Sequence, residues 1–164
     1  MGERTSPSDY DGDMIRAKKL GIDAFALNIG TDPYTDTQLR YAYESAANNG
    51  MNVFISFDFN WWSPSSDAVA VGQKIAQYAG LSAQLTVGGA AFASSFAGDG
   101  LDVATMKSAA GIDVFFAPNF HLQGETSFAN IDGALNWMAS LFFRMDERLE
   151  LQMLIQVGLA EQWQ

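Results

Sequence analysis

Apolar residues over the first 120 positions fall into short β-rich runs separated by stretches of helical spacing, with glycine at most of the junctions. Residues 9–20 place Met14, Ile15, Ala17 and Leu20 on a partial apolar face, with Asp11 and Asp13 early and Arg16, Lys18 and Lys19 late. That charge order suits a helix dipole, Gly21 supplies a stop, and Asp9 is expected to cap. Residues 22–30 then read as a buried strand. Thr35 with Gln38 three positions on is a capping-box signature ahead of Leu39, Ala42, Tyr43 and Ala46, and Asn48-Asn49-Gly50 ends that helix.

The strongest strand pattern comes next. Val53, Phe54, Ile55 and Phe57 favour burial on both faces, as in a parallel sheet, and the run closes on Asp58, Asn60, Trp61 and Trp62. An ionised carboxylate inside such a strand would be costly, so Asp58 is expected to mark the strand's exit. A third helix runs through Val69, Gly72, Ile75, Ala76 and Ala79 to Gly80, followed by a predicted strand over 84–89. Residues 90–100 read as a small-residue loop carrying Phe92 and Phe96. A fourth helix over 102–110 stops at Gly111, and a strand over 112–117 is closed by Pro118, Asn119, Phe120 and His121.

The predicted strands begin near Asp23, Val53, Leu85 and Asp113, a recurrence of roughly 30 residues that matches one βα unit. Two α/β architectures fit: a doubly wound open sheet, or part of a (β/α)8 TIM barrel with about four to five βα units. A complete barrel typically takes about 250 residues, so the barrel reading makes this chain a portion of one. From Ser140 the rhythm breaks. Residues 141–156 are helix-compatible, with no glycine until Gly158, but residues 140–164 are foreign to the preceding pattern, so the chain divides into a βα domain over 1–139 and a divergent tail over 140–164.

Composition narrows the partners. The 164 residues are 48% hydrophobic, enough for a core, and 19 acidic against 9 basic residues give a net charge of −10. Dispersed acidity argues against nucleic acid or an anionic membrane, and leaves a neutral polysaccharide acceptable. With no cysteine and a single histidine, His121, neither a thiolate nor a histidine-rich metal site is expected, and no cofactor is implied. No run approaches the about 20 apolar residues of a membrane span, and the first residues lack the apolar stretch of a signal peptide.

In both architectures ligands bind at the carboxyl ends of the parallel strands. That face is expected to collect Asn28, Asp58, Asn60, Trp61, Trp62, Gly88, Gly89, Asn119 and His121, with almost no basic residue. Val87-Gly88-Gly89 is no phosphate-binding fingerprint. Amides and indoles suit an uncharged polyhydroxylated ligand, since amides hydrogen-bond hydroxyls and an indole covers the apolar face of a sugar ring. Asp58 is the first candidate for chemistry, with loop capping as its plainer role. At most one of the adjacent Trp61 and Trp62 faces a ligand. His121 reads as a proton donor, a hydroxyl-binding group or a structural residue, and Asn28 and Asn119 hold either loops or substrate.

Four segments carry a resemblance: residues 21–30 (Gly21-Ile22-Asp23-Ala24-Phe25-Ala26-Leu27-Asn28-Ile29-Gly30), Tyr34-Thr35-Asp36-Thr37-Gln38-Leu39, Phe54-Ile55-Ser56-Phe57-Asp58 and Asp132-Gly133-Ala134-Leu135-Asn136-Trp137. Together they resemble the fungal α-1,3-glucanases called mutanases, glycoside hydrolase family 71, from about Asp9 to Ala139. The resemblance implies a (β/α)8 barrel, usually secreted, that hydrolyses α-1,3-glucan of fungal cell walls or dental polysaccharide. It maps one of the family's essential carboxylates, and no other essential residue, onto Asp58; Asn28, Trp61 and His121 are expected as sugar contacts from their place at the strand ends. The family's Trp-Asn-Asp-Tyr-Gly-Glu type motif, taken to supply the catalytic Asp and Glu pair, is absent from this sequence. Glu125 lies in a suitable loop, but nothing in the sequence places it opposite Asp58. These 164 residues alone are therefore expected to show little or no hydrolase activity. The alternatives are a carbohydrate-binding remnant, a non-functional product of a misassembled gene model whose tail comes from a frame shift or retained intron, and a small doubly wound binding domain.

Overall fold

A computed structural model describes residues 3–121 and 129–136, and the predicted tail helix and Glu125 fall outside these residues. The described chain alternates helices and strands: α1 (Asp11–Lys19), β1 (Ala24–Ile29), α2 (Thr35–Asn49), β2 (Asn52–Asp58), α3 (Ala68–Ala79), β3 (Thr86–Val87), β4 (Ala90–Phe96), α4 (Val103–Ala110) and β5 (Val114–Asn119). β1, β2, β4 and β5 are parallel neighbours in that order. Each new strand is added beside the last through a helical crossover.

Alternation along the strands separates two faces. Leu27, Ile29, Val53, Ile55, Phe57, Ala93 and Phe116 form one cluster with Met14 and Ala17 of α1, Leu39 and Ala46 of α2, Val71 and Ile75 of α3, and Met106 of α4. The opposite face gathers Ala24, Phe54, Phe92 and Ala117 in a smaller cluster that no described helix residue joins. Among the described residues, helices thus cover one face only. A doubly wound sheet covers both and reverses its strand order, whereas a barrel wall has helices outside and side chains inside.

Three of the predicted strands stand where the sequence put them, and the third does not. Residues 84–89 supply only the two-residue β3, which pairs antiparallel with β4, while the expected loop over 90–96 is the true parallel strand. Gly88 and Gly89 have φ of 58° and 89° and form the two-residue turn between Val87 and Ala90, a geometry that needs left-handed residues at both positions. They therefore sit at the amino end of β4, the opposite end of the sheet from Asp58, and leave the candidate binding face.

Two cap expectations also change. Asp9 lies in a 3-10 turn (Pro7–Tyr10) and its carboxylate accepts the Ser6 and Thr5 amides at 2.9 and 3.0 Å, bracing the turn from inside it. Tyr34 rather than Thr35 stands at the N-cap of α2, with no side-chain cap bond, and Gln38 is 1% exposed, accepting from the Tyr10 hydroxyl at 2.8 Å and bonding both backbone groups of Arg4. A buried amide that ties three segments outweighs a solvent-facing cap.

Gln84 forms the corresponding buried tie under β3. Its amide nitrogen donates to the Leu85 and Phe92 carbonyls at 2.7 and 2.9 Å, and its oxygen accepts from the Tyr43 hydroxyl at 2.5 Å. Tyr43 stacks on Tyr78 with ring centroids 5.2 Å apart. Burial raises both phenols, Tyr78 to about 12, and the Asp36 carboxylate adds to the shift there. The neutral hydroxyls support the fold fully below the ordinary tyrosine value, and that support is lost as the pH rises through the raised values. Stability should therefore fall from about pH 10 upward. Tyr43→Phe should cost about 1–2 kcal/mol at pH 7, through the orphaned Gln84 oxygen, and flatten the alkaline fall in urea unfolding.

Residues beyond β5 close its far side. The Asp132 and Leu135 amides donate to the Phe116 and Pro118 carbonyls at 2.9 and 3.0 Å, while the Asp132 carboxylate accepts from the Phe116 amide and from Lys107 of α4.

Candidate active site

The parallel arrangement brings the ends of β1, β2, β4 and β5 to one edge. Asp58, the last residue of β2, pairs in register with Phe96, which pairs with Asn119. One step back, Asn28 pairs with Ser56, which pairs with Ser94. By the two-residue period these side chains share the helix-free face with Phe54, Phe92 and Ala117. That face is apolar at its base and polar toward the carboxyl edge.

Asp58 is half-buried and held from two directions. Asn60 donates its backbone amide at 3.0 Å and its side-chain amide at 2.8 Å to Oδ1, and Asn28 donates Nδ2 to Oδ2 at 3.3 Å. The Asp58 carbonyl accepts from the Trp61 and Trp62 amides at 2.9 and 3.1 Å, so the chain turns sharply at the strand's end. The carboxylate faces the sheet's edge through a local turn plus one neighbour across the strand gap, and charge-assisted bonds of this kind fix its orientation.

The two indoles divide as their adjacency requires. Trp62 lies edge-on to Phe57 at 5.3 Å and donates Nε1 to the Ile29 carbonyl at 3.2 Å, tying the exits of β1 and β2. Trp61 is 71% exposed and lies over Gly30, where a Cβ would meet the indole at 3.3 Å. His121, beyond β5, donates its backbone amide to Asp99 at 2.9 Å and sets its ring edge-on to Phe96 at 5.4 Å.

Of the predicted site residues, Asn28 and Asp58 are in direct contact. Trp61 lies on the loop leaving β2, and His121 reaches the same edge through Phe96. Asn28 touches the carboxylate itself, which its place in the sequence did not reveal. Sequence reasoning singled out neither Ser56, Phe96 nor Asp99: the first two lay in segments read as plain core and loop, and Asp99 is an isolated acid in a glycine-rich turn. Ser56 Oγ and Asn119 Nδ2 are buried without a hydrogen-bond partner among the described residues. The ion pairs found among the described residues, Arg4 and Arg16 with Asp13, Lys74 with Asp36 and Lys107 with Asp132, involve neither Asp58 nor His121. No cluster of three metal-ligating side chains occurs among the described residues.

Comparison with known proteins bears on this edge. The chain is 38% identical over 135 residues to a mutanase of Penicillium rubens, covering 80% of this chain and 30% of that protein. It is 31% identical over 149 residues to a glucan endo-1,3-alpha-glucosidase of Schizosaccharomyces pombe, covering 80% and 35% respectively. An ascus wall endo-1,3-alpha-glucanase of the same yeast is 29% identical over 147 residues, covering 79% and 34%. The chain thus spans about a third of the length of these relatives. No solved structure matches. The model of glycosyl hydrolase family 71 matches residues 1–143, which includes every strand described above, and the chain belongs to that family.

Proposed function

We propose that these residues form part of the (β/α)8 barrel of an α-1,3-glucan hydrolase, in which Asp58 is an active-site carboxylate. The observation that carries the reading is the clamped Asp58 at the carboxyl end of β2, aimed over a face that the helices leave uncovered. One-sided helices and sequential parallel strands support the barrel over the doubly wound sheet. Asn28 and Asn60 orient the carboxylate, Trp61 covers a sugar ring, and His121 meets substrate hydroxyls from the far side of Phe96.

Glycoside hydrolysis uses two carboxylates on opposite sides of the scissile bond, one protonating the leaving oxygen and the other attacking carbon or activating water. Asp58 supplies one. The second belongs to the rest of the parent enzyme, which the relatives' greater length leaves room for. The substrate is a wall or extracellular polymer, so the parent enzyme acts outside the plasma membrane. Among the described residues no helix is long and apolar enough to cross one.

Exposed Trp61 favours a second reading in which these 164 residues bind glucan without cleaving it. Incubating the 164-residue chain with insoluble α-1,3-glucan tests both. Retention on the polymer with no release of reducing ends is the expected outcome. Release of reducing ends that Asp58→Asn abolishes would show that this chain already holds both catalytic groups.

A further inference from the structure

We propose that Asn119 and Phe96 form a sugar subsite beside Asp58, in which the Asn119 amide donates to a hydroxyl of the glucan unit lying against the Phe96 ring. The inference rests on the reading of Asp58 as facing glucan. It starts from an unsatisfied donor. Asn119 is 7% exposed, and its Nδ2 has no hydrogen-bond partner among the described residues. A buried amide left in that condition costs the fold stability, so its presence calls for another demand on it.

Its position supplies the demand. Asp58, Phe96 and Asn119 are register partners on three adjacent parallel strands, all on the helix-free face at its carboxyl edge. Two strand spacings separate Asp58 from Asn119, or about 10 Å. A span of that size is enough for a sugar unit lying beside Asp58 to reach Asn119 across the intervening strand. The residue between them is aromatic, as an apolar sugar face requires.

The backbone around the pair is firmly placed. The Ala97 amide donates to the Asn119 carbonyl at 3.0 Å and the Phe59 amide to the Phe96 carbonyl at 3.1 Å. Ala97 itself has φ 58°, a left-handed conformation that costs a residue with a Cβ, and the Ser95 hydroxyl anchors its carbonyl at 2.7 Å. The main chain at the end of β4 is thus bent and fixed, while the Asn119 amide on the strand beside Phe96 is buried with no hydrogen-bond partner among the described residues. A glucan hydroxyl, which accepts as well as donates, completes it. The subsite selects for an acceptor oxygen, so a sugar lacking that hydroxyl is discriminated against.

Binding of an α-1,3-linked gluco-oligosaccharide to the full-length parent enzyme, measured by calorimetry in an Asp58→Asn background, tests the subsite. Asn119→Ala should weaken binding about tenfold, the scale of one well-made hydrogen bond, while leaving Tm of the free enzyme unchanged or raised, since it removes an unsatisfied buried donor. Phe96→Leu, which keeps the apolar bulk and removes the ring, should weaken it as well. Unaltered affinity in both variants overturns the proposal, and so does an Asn119→Ala variant that fails to fold, because the amide is then structural. Full hydrolytic activity of Asp58→Asn is the separate result that sinks the reading of Asp58. In that event the affinity comparison still decides whether Asn119 touches sugar.

Discussion

Asp58→Asn in the full-length parent enzyme is expected to lower kcat on α-1,3-glucan about 1,000-fold or more, with KM changed little. The substitution is nearly isosteric and keeps one oxygen for the donors that hold it. Its amide can neither attack a sugar carbon nor take a proton at neutral pH, so an interaction needed only in the transition state is lost. The structure supplies an internal control in Asn60, which gives two of the hydrogen bonds to the carboxylate. Asn60→Ala leaves the charge in place and loosens its aim, which should cost about tenfold in kcat, since displacement of a catalytic group by a fraction of an ångström is already expensive. Reducing-end assays over a range of oligosaccharide concentrations separate the two constants. Retention of more than half the wild-type kcat by Asp58→Asn would make the residue a loop cap, which was its plainer reading from the start.

The second large effect belongs to the scaffold. Gly72 in α3 is where that helix passes closest to α4: a Cβ there would lie 2.1 Å from the Met106 carbonyl oxygen and 2.9 Å from the Ala110 nitrogen. Two effects compete in Gly72→Ala. Helix propensity favours alanine by about 1 kcal/mol, and the clash with backbone atoms, which cannot rotate away, forces the helices apart. The clash should win, for a net loss of about 3 kcal/mol in urea unfolding. Gly12 in α1 reverses the balance: nothing lies within 4 Å of its missing Cβ, so Gly12→Ala should stabilise by about 0.5–1 kcal/mol. The same substitution then has opposite signs at two helical sites. An unchanged or raised stability for Gly72→Ala would mean that the α3 and α4 packing is looser than described.

Sequence patterning revealed the scaffold where burial and propensity agreed. β1, β2 and β5 are rich in branched and aromatic residues and each follows a glycine (Gly21, Gly50 and Gly111) by two or three positions, and all three appear where they were expected. β4 did not declare itself. Its residues, Ala90-Ala91-Phe92-Ala93-Ser94-Ser95-Phe96, are mostly small and have weak strand propensity, and the strand is recognised by its pairing on both sides with β2 and β5 rather than by its own sequence. Meanwhile Leu85, Thr86 and Val87 looked like a strand and drew the assignment to themselves.

The site was legible to a similar depth. A carboxylate ending an apolar strand was enough to single out Asp58. That Asn28 would reach it could not be read, because the contact depends on the register between β1 and β2, which the sequence does not state. Asn119 was visible near a strand exit, whereas Phe96 lay in a stretch read as loop, and only the sheet order sets both in a row with Asp58.

The short antiparallel hairpin of β3 and β4 has a kinetic consequence. Every other pairing in this sheet joins strands separated by a whole crossover, so each must wait for a long loop to close. The pair Val87 and Ala90 closes over two residues and can form within microseconds. β4 needs such an early partner, because its alternation of alanine, serine and phenylalanine says little about which neighbour each residue should face. A slip of one residue would turn Phe96 away from the binding edge and send Ser95 there instead. The hairpin fixes which face each β4 residue presents beside β3 while the rest of the chain is still searching, so one part of the placement of Phe96 is decided locally, at the far end of its strand.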